Sequence, residues 1–146
     1  MRVRELCVSY RPRNDLPRVD PASRFDTPLK IATFLRSLLD HEAIEVFVLV
    51  CLNTKHGLVA YHELSRGTLD STSVHPREVF KTALLANSAS VVLGHNHPSG
   101  DPTPSPDDLA LTDRLARAGE LLGVKVLDHV ILGDQAYYSF KERGSI

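Results

Sequence analysis

Two histidines two residues apart, His95 and His97, precede a Pro/Gly/Ser-rich turn that closes on Ser105, Pro106, Asp107 and Asp108. In an extended segment, side chains at i and i+2 point to the same side. Both imidazoles can therefore face one metal ion while Asn96 points away. Gly94 allows close backbone approach there, and Ser99, Gly100 and Pro102 let the chain reverse. A helix starting at Ser105 would then bring Asp108 forward from its first turn. Two imidazoles and one carboxylate suit Zn²⁺ and leave a fourth position for water, which separates a catalytic site from a closed structural one. Zinc in such a site lowers the pKa of water to about 7.

Each of these residues also has a plainer reading. A His-x-His pair is common without a metal, Asp108 is an acid favoured by the helix dipole, and Ser105 is an N-cap. It is their arrival together, on one strand–turn–helix unit, that points to a metal site. Several lookalikes are excluded. His95-Asn96-His97 in one tripeptide is not an HNH nuclease signature, whose residues sit on separated parts of a ββα unit. A zinc deaminase needs HxE followed by PCxxC, which neither Cys7 nor Cys51 can supply. No HExxH helix is present.

The elements that must position these residues are legible in order. Leu6, Val8 and Tyr10 alternate, predicting a strand over 2–10. A long proline-rich loop follows over 11–27, suited to wrapping the surface or contacting a partner. Asp26 or Thr27 caps a helix opening on Pro28, with Ile31, Phe34, Leu35, Leu38 and Leu39 on one face and its end near His41. EVFVLVCL, residues 45–52, reads as a buried strand, and residues 58–64 as the second arm of a hairpin. A second helix opens on Pro76, capped by Ser73 or His75, with Val79, Phe80, Ala83 and Leu84 inward. A buried strand over 89–94 runs into the histidines. Ser105-Pro106-Asp107-Asp108 opens the third helix. Its stripe is Leu111, Leu115, Ala118 and Leu122, and Gly123 ends it. Residues 124–132 and 136–140 complete a second hairpin, with Tyr137, Tyr138 and Phe140 over the sheet edge. The fold class is α/β (α+β): a mixed β-sheet with flanking helices.

Composition narrows the function. The chain has 146 residues, 42% of them apolar, with a net charge of −1. One globular domain is expected, without the basic stripe of a dedicated nucleic-acid binder. Direct nucleic-acid binding is not expected. The two cysteines lack CxxC spacing and read as reduced thiols. No apolar run approaches the ~20 residues of a membrane span, and MRVRELCVSY lacks a signal-peptide core. A cytoplasmic protein is expected.

At the metal residues the sequence resembles the JAMM (MPN+/JAB) metalloprotease domain, whose pattern is an upstream Glu, then HxH, seven residues, Ser, two residues and Asp. His95, His97, Ser105 and Asp108 match it without a gap. HNHPSGDPTPS, VHPRE (74–78), GTLDSTS (67–73) and LDHVILG (127–133) resemble the RadC branch more closely. The resemblance implies a JAB/MPN, cytidine deaminase-like architecture over 27–146, after an N-terminal strand and extended loop over 1–26. It also implies that His95, His97 and Asp108 are zinc ligands, that Ser105 hydrogen-bonds a developing oxyanion, and that the upstream Glu, similar in position to Glu45, is the base. Glu42 and Glu63 are rivals for that last role. The expected activity is hydrolysis of amide or isopeptide bonds in a protein or peptide substrate. The alternative is a non-catalytic metal-binding module of a DNA-repair or mobile-element system. RadC-branch proteins commonly carry an N-terminal helix-hairpin-helix segment, and about 26 residues are too few for one. Neither substrate nor oligomeric state can be read from the sequence.

The remaining polar residues have weaker claims. His75 beside Pro76 caps a helix or contacts substrate. Asp128 with His129 either orients a metal ligand from behind or is a hydrogen-bonded core pair. His41, His56 and His62 read as structural or solvent-facing.

Overall fold

Strand β1 (Val46–Leu52) is buried at all seven positions, because neighbours flank it on both edges and helices cover both faces. Its sequence is accordingly a continuous apolar run, not an alternation. The computed structural model describes residues 1–67 and 74–146. Around β1, in chain order, lie α1 (Pro28–Leu39), β2 (Leu58–Arg66), α2 (Pro76–Leu85), β3 (Ser90–Asn96), α3 (Pro106–Leu122), β4 (Lys125–Leu132) and β5 (Tyr137–Ser139). The sheet order is β2-β1-β3-β4-β5. Only β3 and β4 run parallel. Parallel neighbours need a crossover, and α3 provides it. The result is the expected mixed α/β sheet, consistent with a JAB/MPN architecture. No helix among the described residues is long and apolar enough to cross a membrane.

Alternate residues of the central strands divide the core in two. Phe47, Leu49, Cys51, Val91 and Leu93 pack with Val79, Phe80 and Ala83 of α2 and Leu111 and Leu115 of α3. Val46, Val48, Val50, Leu52, Val92 and Val130 pack with Ile31, Ala32 and Leu35 of α1. His95 continues the first series and so faces α3.

Gly94 serves the other face. A Cβ there would sit 2.5 and 2.6 Å from the two methyl carbons of Leu35, so the glycine makes room for α1 and not for the reversing loop. Leu35 is fully buried and has nowhere to move. Gly94→Ala is therefore expected to cost about 1–3 kcal/mol of overpacking, read as a lower denaturation midpoint at unchanged m-value. An unchanged midpoint would show that α1 can retreat freely.

Three expectations need correction. Residues 2–10 form no strand: Leu6, Val8 and Tyr10 are 78%, 49% and 58% exposed. Alternation buries one face only when there is a sheet to join, and this segment makes no ladder with β2, the nearest edge. It is tied instead by single contacts, such as the Tyr10 hydroxyl donating to the Ala86 carbonyl at 3.5 Å. Leu84 and Leu122, assigned to inner helix faces, are exposed. Phe140, assigned to the sheet edge, is buried.

Local signals set the helix starts as expected. Thr27 caps α1 by accepting from the Lys30 N–H. His75 caps α2, its Nδ1 accepting from the Arg77 N–H at 3.1 Å. The alternative cap, Ser73, lies outside the described residues, as does most of the 67–73 stretch.

Candidate metal centre

The expected ligand residues come together. Among the described residues, His95, His97 and Asp108 each offer one donor atom, and these all lie within 4.8 Å of one another. The Nε2 atoms of His95 and His97 are 3.0 Å apart. Asp108 places Oδ1 3.4 Å from His95 Nε2 and Oδ2 3.3 Å from His97 Nε2. The His95 side chain is fully buried, Asp108 is 5% exposed and His97 12%. This group could hold a metal ion, with access from the His97 side.

Asp108 is placed by helix chemistry. Ser105 is the N-cap of α3, with Pro106 in the first turn. Its hydroxyl accepts from the Asp108 N–H at 3.1 Å, and Asp108 Oδ2 accepts from the Ser105 N–H at 2.8 Å. This capping box has Asp where Glu or Gln is usual. The two-residue gap between Ser105 and Asp108 thus sets the cap and aims a carboxylate in one step. The Ser105 hydroxyl accepts within the cap, so its own proton remains free to donate, and the residue is exposed.

His97 is fixed from behind by a carbonyl. Its Nδ1 lies 2.8 Å from the Asp101 backbone oxygen. A carbonyl has no proton to give, so Nδ1 carries the hydrogen and Nε2 of the neutral ring is left bare. The Asp101 carbonyl is itself held in a turn, its side chain accepting from the Thr103 N–H and hydroxyl.

Protonation follows this crowding. The Asp108 carboxylate raises the pKa of His97 against the opposing cost of burial. Burial pushes Asp108 up, but the neighbouring His95 and His97 imidazoles and the Ser105 N–H outweigh it and hold the carboxyl well below the usual range. Asp108 therefore stays anionic through neutral pH. The protons that compete with a cation belong to the histidines.

Glu45 lies beside the cluster, with Oε1 3.8 Å from His97 Nε2. Its side chain is 30% exposed, so the strand end shields it only in part. The backbone on either side is clamped by Asn96, whose Oδ1 accepts from the Val46 N–H at 2.8 Å and whose Nδ2 donates to the Ile44 carbonyl at 2.9 Å. Glu42 and Glu63 are elsewhere: both bind the Arg66 guanidinium, at 2.7 and 2.6 Å. They line a cavity of about 940 Å³ beneath the N-terminal segment, which none of the three ligand residues touches.

Behind His95 lies one of the two residues considered for orienting a ligand from behind. His129 is fully buried on β4, with Nε2 2.8 Å from His95 Nδ1. It stacks on Phe140, with ring centroids 4.8 Å apart and planes at 8°, while Phe47 stacks on His95 at 5.4 Å. Burial holds the pKa of His129 well below the ordinary histidine value. Thr112 Oγ1 lies 2.6 Å from His129 Nδ1. The available signal was a polar residue on the buried stripe of α3, one turn after Asp108. Asp128 does not share this role. It accepts from the Ser139 hydroxyl and from the His129 and Lys141 N–H groups, tying β4 to the chain after β5.

A family model described as the RadC-like JAB domain matches residues 25–145. A UPF0758 protein of Alkaliphilus metalliredigens is 46% identical over 120 residues, 82% of this chain and 52% of that protein. One from Thermotoga maritima is 40% identical over 141 residues, 97% of this chain and 62% of that protein. One from Desulforamulus reducens is 53% identical over 102 residues, 70% of this chain and 45% of that protein. The chain spans about half the length of the curated relatives it matches.

Proposed function

Because the chain belongs to the RadC-like JAB domain family, we propose that it is a metal-dependent hydrolase of amide or isopeptide bonds, with zinc as its ion and a protein or peptide as its substrate. One observation carries this reading: among the described residues, three convergent donor atoms have the Glu45 carboxylate beside them at 3.8 Å, not a fourth ligand.

The donor set fits zinc. Ligands 2.0–2.1 Å from a tetrahedral ion lie about 3.3 Å from one another. The separations here are 3.0, 3.3 and 3.4 Å. No sulfur donor belongs to the group, since Cys7 is exposed at the N-terminus and Cys51 is buried in the core. Bound zinc would supply Lewis acidity and a water of lowered pKa.

The chain's own residues do the rest. His95, His97 and Asp108 hold the ion. Glu45, at the open side, accepts a proton from the attacking water and returns it to the leaving amine. Ser105 donates its hydroxyl proton to the carbonyl oxygen as charge develops there. The supporting experiment is cleavage of isopeptide-linked and linear peptides by the zinc-loaded protein, lost to a chelator and restored by zinc. Stoichiometric zinc without turnover on any such substrate would favour the non-catalytic module.

The two jobs of Ser105 can be separated. Ser105→Ala is expected to cost about 0.5–2 kcal/mol of stability through the lost cap, and about 10²–10³-fold in kcat through the lost donor. Asp108 keeps the Ser105 N–H, so the metal should remain. A kcat within a few-fold of wild type would leave Ser105 as a cap alone.

A further inference from the structure

His95 is the one imidazole whose outer nitrogen meets another imidazole, so its proton cannot be placed from that contact alone. The next links decide it. Thr112 has a single hydroxyl proton, and its Oγ1 lies 2.7 Å from the Asp108 backbone carbonyl. That oxygen cannot donate, so the hydroxyl must donate to it. Oγ1 then meets His129 Nδ1 at 2.6 Å with only lone pairs to offer, and His129 Nδ1 must carry a hydrogen. The ring of His129 is fully buried between Phe47 and Phe140. Its two nitrogens meet only Thr112 Oγ1 and His95 Nδ1, with no carboxylate oxygen to take a second hydrogen, so the ring keeps one hydrogen and its Nε2 is bare. That nitrogen therefore accepts from His95 Nδ1 at 2.8 Å.

We propose that Thr112 and His129 form a one-way hydrogen-bond chain that fixes the proton of His95 on Nδ1 and leaves its Nε2 as the atom that binds the cation. This rests on the reading of the three-residue group as a metal site. The chain starts at the backbone of one ligand, Asp108, and ends on the ring of another. The first turn of α3 thereby sets both the position of Asp108 and the tautomer of His95. The opposite direction would put a hydrogen on His95 Nε2, 3.0 Å from His97 Nε2, where the ion belongs. Thr112 and His129 touch no substrate, so they are positioning residues.

Two measurements test the chain. Nitrogen-15 spectra that resolve histidine tautomers should show His129 protonated on Nδ1 and bare on Nε2, with and without added Zn²⁺. Protonation on Nε2 in either state overturns the proposal. Titration with Zn²⁺ should show Thr112→Val binding about 10–100-fold more weakly than wild type, with Thr112→Ser, which keeps the hydroxyl, restoring the affinity. Wild-type affinity in a folded Thr112→Val protein also overturns it. Failure of the wild type to bind Zn²⁺ would remove the metal reading itself. The tautomer of His129 in the metal-free protein would still judge the chain.

Discussion

Glu45→Gln keeps its metal and loses turnover, with kcat falling about 10²–10⁴-fold. The amide has the shape of the carboxylate but cannot accept a proton from water. Glu45 is not a member of the three-donor group; its Oε1 lies 3.8 Å from His97 Nε2. Zinc content should therefore be unchanged. The Asn96 clamp on Ile44 and Val46 holds the main chain around the substituted residue, so the loss would not come from a moved strand. Glu42→Gln and Glu63→Gln serve as controls. Both carboxylates are engaged by Arg66, and their loss should leave kcat near wild type. A Glu45→Gln protein that cleaves at the wild-type rate would remove Glu45 as the base.

His97→Ala is expected to lose both metal and activity. It deletes one of three donors and the only one with an open approach, its side chain being 12% exposed. Two remaining ligands do not make a zinc site. The imidazole follows the end of β3 and contributes little core, so the metal-free variant should fold. The contrast appears on adding zinc. The wild type should gain about 2.7 kcal/mol at a free zinc concentration 100 times its Kd, seen as a raised Tm, whereas His97→Ala should gain nothing. A His97→Ala protein that binds zinc stoichiometrically would contradict the ligand assignment.

The site was legible to the extent that its parts lie close in sequence. His95 and His97 share a strand end, and Ser105 and Asp108 share a capping box, so two short-range rules placed four residues. Glu45 arrives from a separate strand, and its position rested on resemblance. The structure puts it next to His97 because β1 pairs antiparallel with β3, with Phe47 opposite His95. His129 needed a second pairing, β3 with β4, which brings Leu93 opposite His129. No spacing rule encodes such a register. The expected strand over 2–10 failed for a related reason. Leu6, Val8 and Tyr10 alternate correctly, but period two describes a face only once an edge is supplied. Leu84 failed because a helix stripe is only about 100° wide and it sits just past the edge set by Val79, Phe80 and Ala83; Leu122 lies within the stripe but is the last residue of α3, exposed at the helix end.

The most direct test of the central claim is the coordination of the metal in the purified protein, by elemental analysis with zinc-edge X-ray absorption. The account predicts one zinc per chain bound by two imidazole nitrogens and a carboxylate oxygen, with a fourth light-atom ligand that is not a protein side chain. A chain that takes up no zinc, a sulfur in the shell, or a fourth protein ligand closing the site would contradict it.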